Sequence, residues 1–201
     1  MATDRWDIRQ LMFRYRSYTP IPFLVAMVVF ARPTIASLVA GFVVLALGEF
    51  IRFWGVSIAG SETRTTGTVG GTYLITNGPF GYMRNPLYVG NILMYAGVGI
   101  MSMALFPWLF LLALVWFYVQ YALIIANEEE YLSRRFGDAY AEYKRHVRRF
   151  LPRLTPYTPA GPPAKNIDLR EGLSSERRTL QAITLVTLLL VAIYIARQAW
   201  A

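Results

Sequence analysis

The sequence predicts an all-α integral membrane protein, a bundle of about five transmembrane helices with a cytoplasmic amphipathic helical segment. Three observations predict it. Of the 201 residues, 55% are hydrophobic, far from the balance of an average water-soluble domain. Apolar runs occupy Ile21 to Ala31, Ile35 to Ala59, Asn91 to Phe106, Trp108 to Ala126 and Leu180 to Ala196, and about 20 apolar residues suffice to cross a bilayer core. Basic residues gather on one side of those runs, which is a topology signal.

Each run has its own reading. The first is the shortest, with eleven apolar residues before Arg32-Pro33; it spans only if Met12 to Thr19 extend it, and otherwise is a re-entrant or half-spanning element. Asn85-Pro86 precedes the third run, with Asn85 as helix cap and Pro86 in the first turn. Beyond the fourth run, Leu132, Phe136, Tyr140, Tyr143, Val147 and Leu151 recur at steps of three or four, an amphipathic helix that Gly137 divides in two and that can lie along a headgroup layer. The stretch Thr155 to Arg178 holds four prolines and two glycines and reads as a linker. Residues 1–153 therefore form the core, 154–178 a cytoplasmic linker, and 179–201 an appended transmembrane helix whose polar start lies near Ser174.

The formal charge is +8. Arg5, Arg9, Arg14, Arg16, the connector Gly60 to Arg84 and the eleven Lys and Arg between Asn127 and Arg178 all fall on one face, orienting the N-terminus to the cytoplasm and the C-terminus outside, as in a bacterial-type inner membrane. The first twenty residues lack the short basic tip and apolar core of a cleavable signal. The cations flank spans and alternate with acids, so the expected partners are membrane lipids and not nucleic acid. Absence of cysteine excludes disulfides and thiolate metal sites.

Two motifs point to chemistry. In "GPFGYMRNPLYVG" (Gly78 to Gly90) the first-turn amides of a helix and Arg84 together favour a small anion such as a carboxylate. Glu128, Glu129 and Glu130 follow the fourth run on the same face; consecutive helical residues fan over roughly 200°, so one or two turn inward and need a cationic partner. That partner is Arg84 or a cationic ligand. A pocket carrying both features suits a ligand with a carboxylate and a positive charge, of which S-adenosylmethionine is one. Glu49 and Arg52, one helical turn apart, either pair with each other or line a substrate path. The only histidine, His146, sits on the amphipathic helix as a surface or headgroup-facing residue.

The runs "LGEFIRFWGVSIAG" (Leu47 to Gly60), "TYLITNGPFGYMRNPLYVG" and "NEEEYLSRRFGDAYAEYKRHV" resemble the isoprenylcysteine carboxyl methyltransferase and phospholipid methyltransferase superfamily of integral membrane enzymes. The match spans roughly half the chain, in the family's order: a Gly-Pro-aromatic loop, an Arg-His-Pro-x-Tyr-x-Gly motif and a Glu-Glu-x-x-Leu motif. The resemblance implies S-adenosylmethionine in a cytoplasmic pocket and a lipophilic acceptor arriving from the bilayer. It implies that Tyr73, Leu74, Ile75, Phe80, Asn85, Pro86, Leu87, Tyr88 and Glu129 hold the cofactor. Arg84 and Glu128 then stand at the methyl-transfer end, with no metal. Asn85 occupies the family's histidine position, where it cannot take a proton at neutral pH, and Phe80 a position where tyrosine is commoner. The arginine that precedes the glutamates in the prenylcysteine enzymes is replaced by "YALIIAN". The function expected is therefore methyl transfer to an isoprenylcysteine-like carboxylate, a phospholipid amine or another small lipid. The alternative is a non-catalytic membrane subunit that scaffolds a larger complex, meeting partner membrane proteins through residues 180–196.

Overall fold

A computed structural model describes residues 8–60, 73–159 and 165–200. Arg5, the connector stretch 61–72 and the stretch 160–164 lie outside the described residues. The chain is all-α, in the order α1 (Ile8–Tyr15), α2 (Pro20–Val29), α3 (Ile35–Ala59), α4 (Pro79–Tyr82), α5 (Pro86–Ser102), α6 (Trp108–His146) and α7 (Leu169–Ala199). Three helices, α3, α6 and α7, are long and apolar enough to cross a membrane; α2 and α5 are shorter apolar helices.

The first apolar run is not extended by Met12 to Thr19. The chain breaks between α1 and α2, and α2 begins on Pro20, with Pro22 also in its first turn. At about 1.5 Å per residue its 10 residues reach about 15 Å, half of a roughly 30 Å hydrocarbon core. The third run also shifts. The helix α5 takes in Pro86 to Asn91 and stops at Ser102, where Met103 turns left-handed, so residues 103–106 belong to a turn. The helix α3 starts at a capping box in which Thr34 and Ser37 exchange side-chain and backbone hydrogen bonds of 3.1 and 2.9 Å, satisfying two amides that would otherwise be orphaned.

The last helix begins earlier than Ser174. Asp168 is its cap, accepting from the amides of Arg170 and Glu171 at 2.9 and 3.0 Å, bonds that hold its carboxyl below the usual carboxylate range. The stretch 154–178 is thus not a linker throughout: from Leu169 it is helix, and that helix packs on α3. Gly172 fits directly against Ser57, and the Asp168 amide donates to the Ser57 carbonyl at 2.6 Å.

The centre of the bundle is the contact of α3 with α5. A Cβ on Gly41 would stand 2.5 Å from the Gly97 carbonyl oxygen, and one on Gly48 2.6 Å from that of Gly90. The reciprocal contacts, Gly97 to Gly41 and Gly90 to Gly48, are 2.6 and 2.7 Å. Two helices approach this closely only where side chains are missing at the crossing. Around the seam Met27, Leu45, Met101, Phe117, Ile124 and Leu190 form one buried cluster.

Past the fourth apolar run α6 is divided at Gly137, whose non-helical φ of +50° and ψ of −122° suit glycine alone, and a second helical piece runs on to His146. Beyond the bend Tyr140, Tyr143 and Val147 are buried, with Leu74, Leu132, Phe136 and Tyr157 packed against them. The apolar face of this amphipathic segment therefore covers the protein's own loops, while Leu151 is exposed. His146 is half-exposed, beside Glu142 at 3.2 Å and stacked on Tyr157.

Gly48→Val should force the α3–α5 seam apart and lower stability by about 1–3 kcal/mol, read as a fall in the thermal unfolding midpoint of the full chain in detergent micelles. The same change at Leu47, which is exposed, should leave that midpoint unmoved.

Candidate functional site

A cavity of about 410 Å³ opens at one end of the bundle, within the range of small-molecule sites. The chain brings five pieces to it: the end of α1, the last turns of α3, the loop 73–80 with the start of α5, the stretch of α6 that follows its apolar run, and Glu176 on α7. All eleven residues singled out from the sequence line it: Tyr73, Leu74, Ile75, Phe80, Arg84, Asn85, Pro86, Leu87, Tyr88, Glu128 and Glu129. What brings them together is backbone pairing between the loop before α5 and the segment after α6. The Arg84 amide donates to the Arg148 carbonyl at 2.9 Å, Arg153 to Tyr82 at 3.0 Å and Tyr157 to Gly81 at 2.9 Å. Tyr143 adds a hydroxyl bond to the Phe80 carbonyl at 2.7 Å.

The glutamates fan out as helical geometry requires. Glu130 is exposed and pairs with Arg134 and Arg9. Glu129 is buried at 6% exposure and is gripped by two arginines. Arg84 Nη2 lies 2.8 Å from its Oε1, and Arg149 donates through Nε at 3.1 Å to Oε1 and through Nη2 at 2.6 Å to Oε2. Lys144 stands 3.9 Å away. Bonding to this carboxylate pushes the Arg149 guanidinium above its ordinary pKa. Glu128 differs: its Oε1 accepts the Tyr88 hydroxyl at 2.6 Å. The pocket thus holds a carboxylate gripped by two guanidinium groups and, one residue away, one bonded to the Tyr88 hydroxyl, with Arg16 also lining the cavity.

Asn85 occupies the N-cap position of α5, but its side chain does not cap. Its Nδ2 donates to the Arg149 carbonyl at 3.1 Å, tying the helix start to the segment after α6. Arg84 is likewise engaged, with Nη1 donating to the Val147 carbonyl at 2.5 Å. The reading in which Arg84 and the α5 amides jointly await an anion is corrected to that extent: the guanidinium is committed to Glu129 and a backbone carbonyl.

Sequence reasoning missed Arg149, Asn91, Tyr95, Tyr121 and Glu176. Arg52 Nη2 lies 2.8 and 2.9 Å from the two oxygens of Glu176 and Nη1 donates to Asn91, so Arg52 engages Glu176 in preference to Glu49, 3.9 Å from its Nε. Asn91 had a signal, being a polar residue inside an apolar run and one turn beyond Tyr88. Glu176 had none, since its partner lies 124 residues away.

Residues 36–139 match the phospholipid methyltransferase family. The chain belongs to the phospholipid methyltransferase family. It is 34% identical over 121 residues to the cobalt-zinc-cadmium resistance protein CzcN of Cupriavidus metallidurans, an alignment covering 60% of this chain and 51% of that protein. It is 37% identical over 84 residues to the nickel-cobalt-cadmium resistance protein NccN of Alcaligenes xylosoxydans xylosoxydans, covering 42% and 38%. The chain thus spans about half the length of CzcN and less of NccN. No solved structure matches it. Most of the cavity wall in this phospholipid methyltransferase family chain falls inside the matched range, whereas Phe13, Arg16 and Ser17 precede it and Tyr140, Tyr143 and Glu176 follow it.

Glu129→Gln should leave Arg84 and Arg149 facing a neutral amide in a mostly buried site. The expected loss is about 3–5 kcal/mol, reduced because Arg149 is 38% exposed. Glu130→Gln, at an exposed pair, should cost less than about 1 kcal/mol; thermal unfolding of the two variants side by side checks the contrast.

Proposed function

We propose that the protein is an S-adenosylmethionine-dependent membrane methyltransferase acting on a lipophilic acceptor, with its cavity on the cytoplasmic side, its N-terminus cytoplasmic and its C-terminus outside. The observation that carries this reading is the convergence of Arg84, Asn85 to Tyr88, Glu128 and Glu129 on one cavity in a chain of this family. The donor set suits the cofactor. Glu128 offers a carboxylate to a sulfonium or an ammonium, Leu74, Ile75 and Leu87 offer apolar walls to an adenosyl group, and Asn85 to Tyr88 place the α5 amides at the cavity wall.

When bound, S-adenosylmethionine supplies a methyl group already activated on sulfur. What this chain contributes is position, exclusion of water and charge compensation. Arg84 and Arg149 fix Glu129 and so hold the α5 start against α6; Tyr88 orients Glu128 through its hydroxyl; Tyr140 and Tyr143 close the side facing water. A thiolate or carboxylate acceptor needs no base, whereas an ammonium headgroup must first give its proton to a base so that the nitrogen lone pair can attack the methyl carbon. In this reading Asn85 takes no part in proton transfer. The resistance names of the two relatives extend the proposal to lipid modification in cells facing metal ions.

A second reading, a non-catalytic subunit docked through residues 180–196, draws on the exposed Leu185, Leu188 and Ile195 of α7. Calorimetric titration of the detergent-purified full chain with S-adenosylmethionine separates the two. The methyltransferase reading expects wild-type binding, weakened at least about tenfold in Glu128→Gln by loss of a charge-assisted contact, and transfer of labelled methyl to a lipid extract. Absence of both binding and transfer, with partner chains co-purifying, favours the subunit.

A further inference from the structure

The cavity has an inner end as well as a mouth. Asn91 and Tyr95 line it, and at about 1.5 Å per residue Tyr95 stands about 13 Å along α5 from Pro86. Arg52 from α3, Tyr121 from α6 and Glu176 from α7 complete this inner end. Its polar groups are tied together. Arg52 Nη2 lies 2.8 and 2.9 Å from the two Glu176 oxygens, and Nη1 donates to Asn91 Oδ1. The Tyr121 hydroxyl interacts with the side chains of Asn91 and Tyr95, and its ring lies 4.8 Å from that of Tyr88. The ion pair is sequestered, with the Glu176 side chain 2% and that of Arg52 16% exposed. Such a pair is a poor means of joining two helices, because desolvation takes back most of the Coulomb attraction and matched apolar side chains do as well. Nor does α7 need it to reach α3: the Asp168 amide donates to the Ser57 carbonyl at 2.6 Å, and Gly172 lies directly against Ser57. What apolar side chains could not do is hold a guanidinium in one place on the cavity wall.

We propose that Glu176 is a positioning residue, which fixes the Arg52 guanidinium at the inner end of the cavity so that Arg52 orients an oxygen-bearing head group of the acceptor. The part given to Arg52 rests on the methyltransferase reading; the fixing of its guanidinium does not. Nη1 carries two hydrogens, and the one that Asn91 does not take has no acceptor among the described residues, so it is left for an oxygen in the cavity. Gly90 makes the placement possible, since a Cβ there would stand 2.5 Å from Arg52 Cγ. Glu176 lies beyond the family match at residues 36–139. The helix α7 is then part of the site and not an appendage to it.

The test uses the full chain in detergent micelles, with labelled-methyl transfer to a lipid extract and calorimetric titration of S-adenosylmethionine read side by side. Glu176→Gln should raise the amount of extract needed for half-maximal transfer at least about fivefold, as displacement of a charged donor requires, and change S-adenosylmethionine affinity less than about twofold. Arg52→Met/Glu176→Met, which leaves no half of the pair behind, should unfold above Glu176→Gln and still need the larger amount of extract. Asp168→Ala removes the cap of α7 and should lower the unfolding midpoint without that effect. Unchanged half-saturation in Glu176→Gln, or its return to the wild-type value in the double variant, makes the pair a staple between helices and overturns the proposal. Nitrogen-15 NMR of the arginine side chains keeps the two readings apart. Wild type should show separate Nη1 and Nη2 signals, absent in Arg52→Met, because the ion pair stops rotation about the Nε–Cζ and Cζ–Nη bonds; Glu176→Gln should merge them. Signals that merge in this way, in a chain that neither binds S-adenosylmethionine nor transfers methyl, sink the methyltransferase reading and leave the positioning. Cofactor binding with signals already averaged in wild type, or unmoved by Glu176→Gln, sinks the positioning alone.

Discussion

The contact between α3 and α5 sets the rest of the molecule. Four glycines, Gly41, Gly48, Gly90 and Gly97, let the two backbones meet where even one methyl group would collide with a carbonyl oxygen. Such proximity is the means by which apolar helices associate when burial of hydrophobic surface gives little advantage over lipid. It has a consequence for the polar groups. Gly90 leaves room for the stem of Arg52, so an arginine deep in an apolar helix can lie across α5, reach Asn91 and meet Glu176 on α7. Without the seam, Arg52 would have to leave the membrane or lose its partners, and α7 would have no charged anchor on α3.

A second constraint is electrostatic and works at the mouth. Glu129 gathers Arg84 from before α5, Arg149 from after α6 and Lys144 from the bent end of α6. Ion pairs taken out of water recover their desolvation cost only with good geometry and further hydrogen bonds, and here the guanidinium groups supply several. The arrangement closes a ring: the start of α5 is bonded to the segment after α6, which covers the loop that carries Phe80. The cavity is thus walled by pieces far apart in sequence, and its two glutamates differ in surroundings because the roughly 100° step between consecutive helical residues points Glu129 at Arg84 and Arg149 and Glu128 at Tyr88.

Those two constraints also explain how the polar groups divide. Glu129 is matched by Arg84 and Arg149, Glu176 by Arg52, and Glu128 accepts from the Tyr88 hydroxyl, while Glu49 lies 3.9 Å from Arg52 without a hydrogen bond.

The sequence by itself determined the helical class, the long apolar segments and the bend at Gly137, and its motifs singled out eleven residues that the tertiary pairing then brings to one cavity. Those features are local: apolar runs, a glycine without a side chain to strain, and short motifs in a fixed order. The tertiary structure alone decided where α7 begins to matter, that Asn85 ties to Arg149 instead of capping its helix, and that Arg52 chooses Glu176 over Glu49. Each of these is a pairing across 64 to 124 residues, and no spacing along the chain encodes which distant donor a buried acceptor will find. The first apolar run reads from the sequence as either a span or a half-spanning element, and α2, 10 residues starting on Pro20, is the shorter of the two.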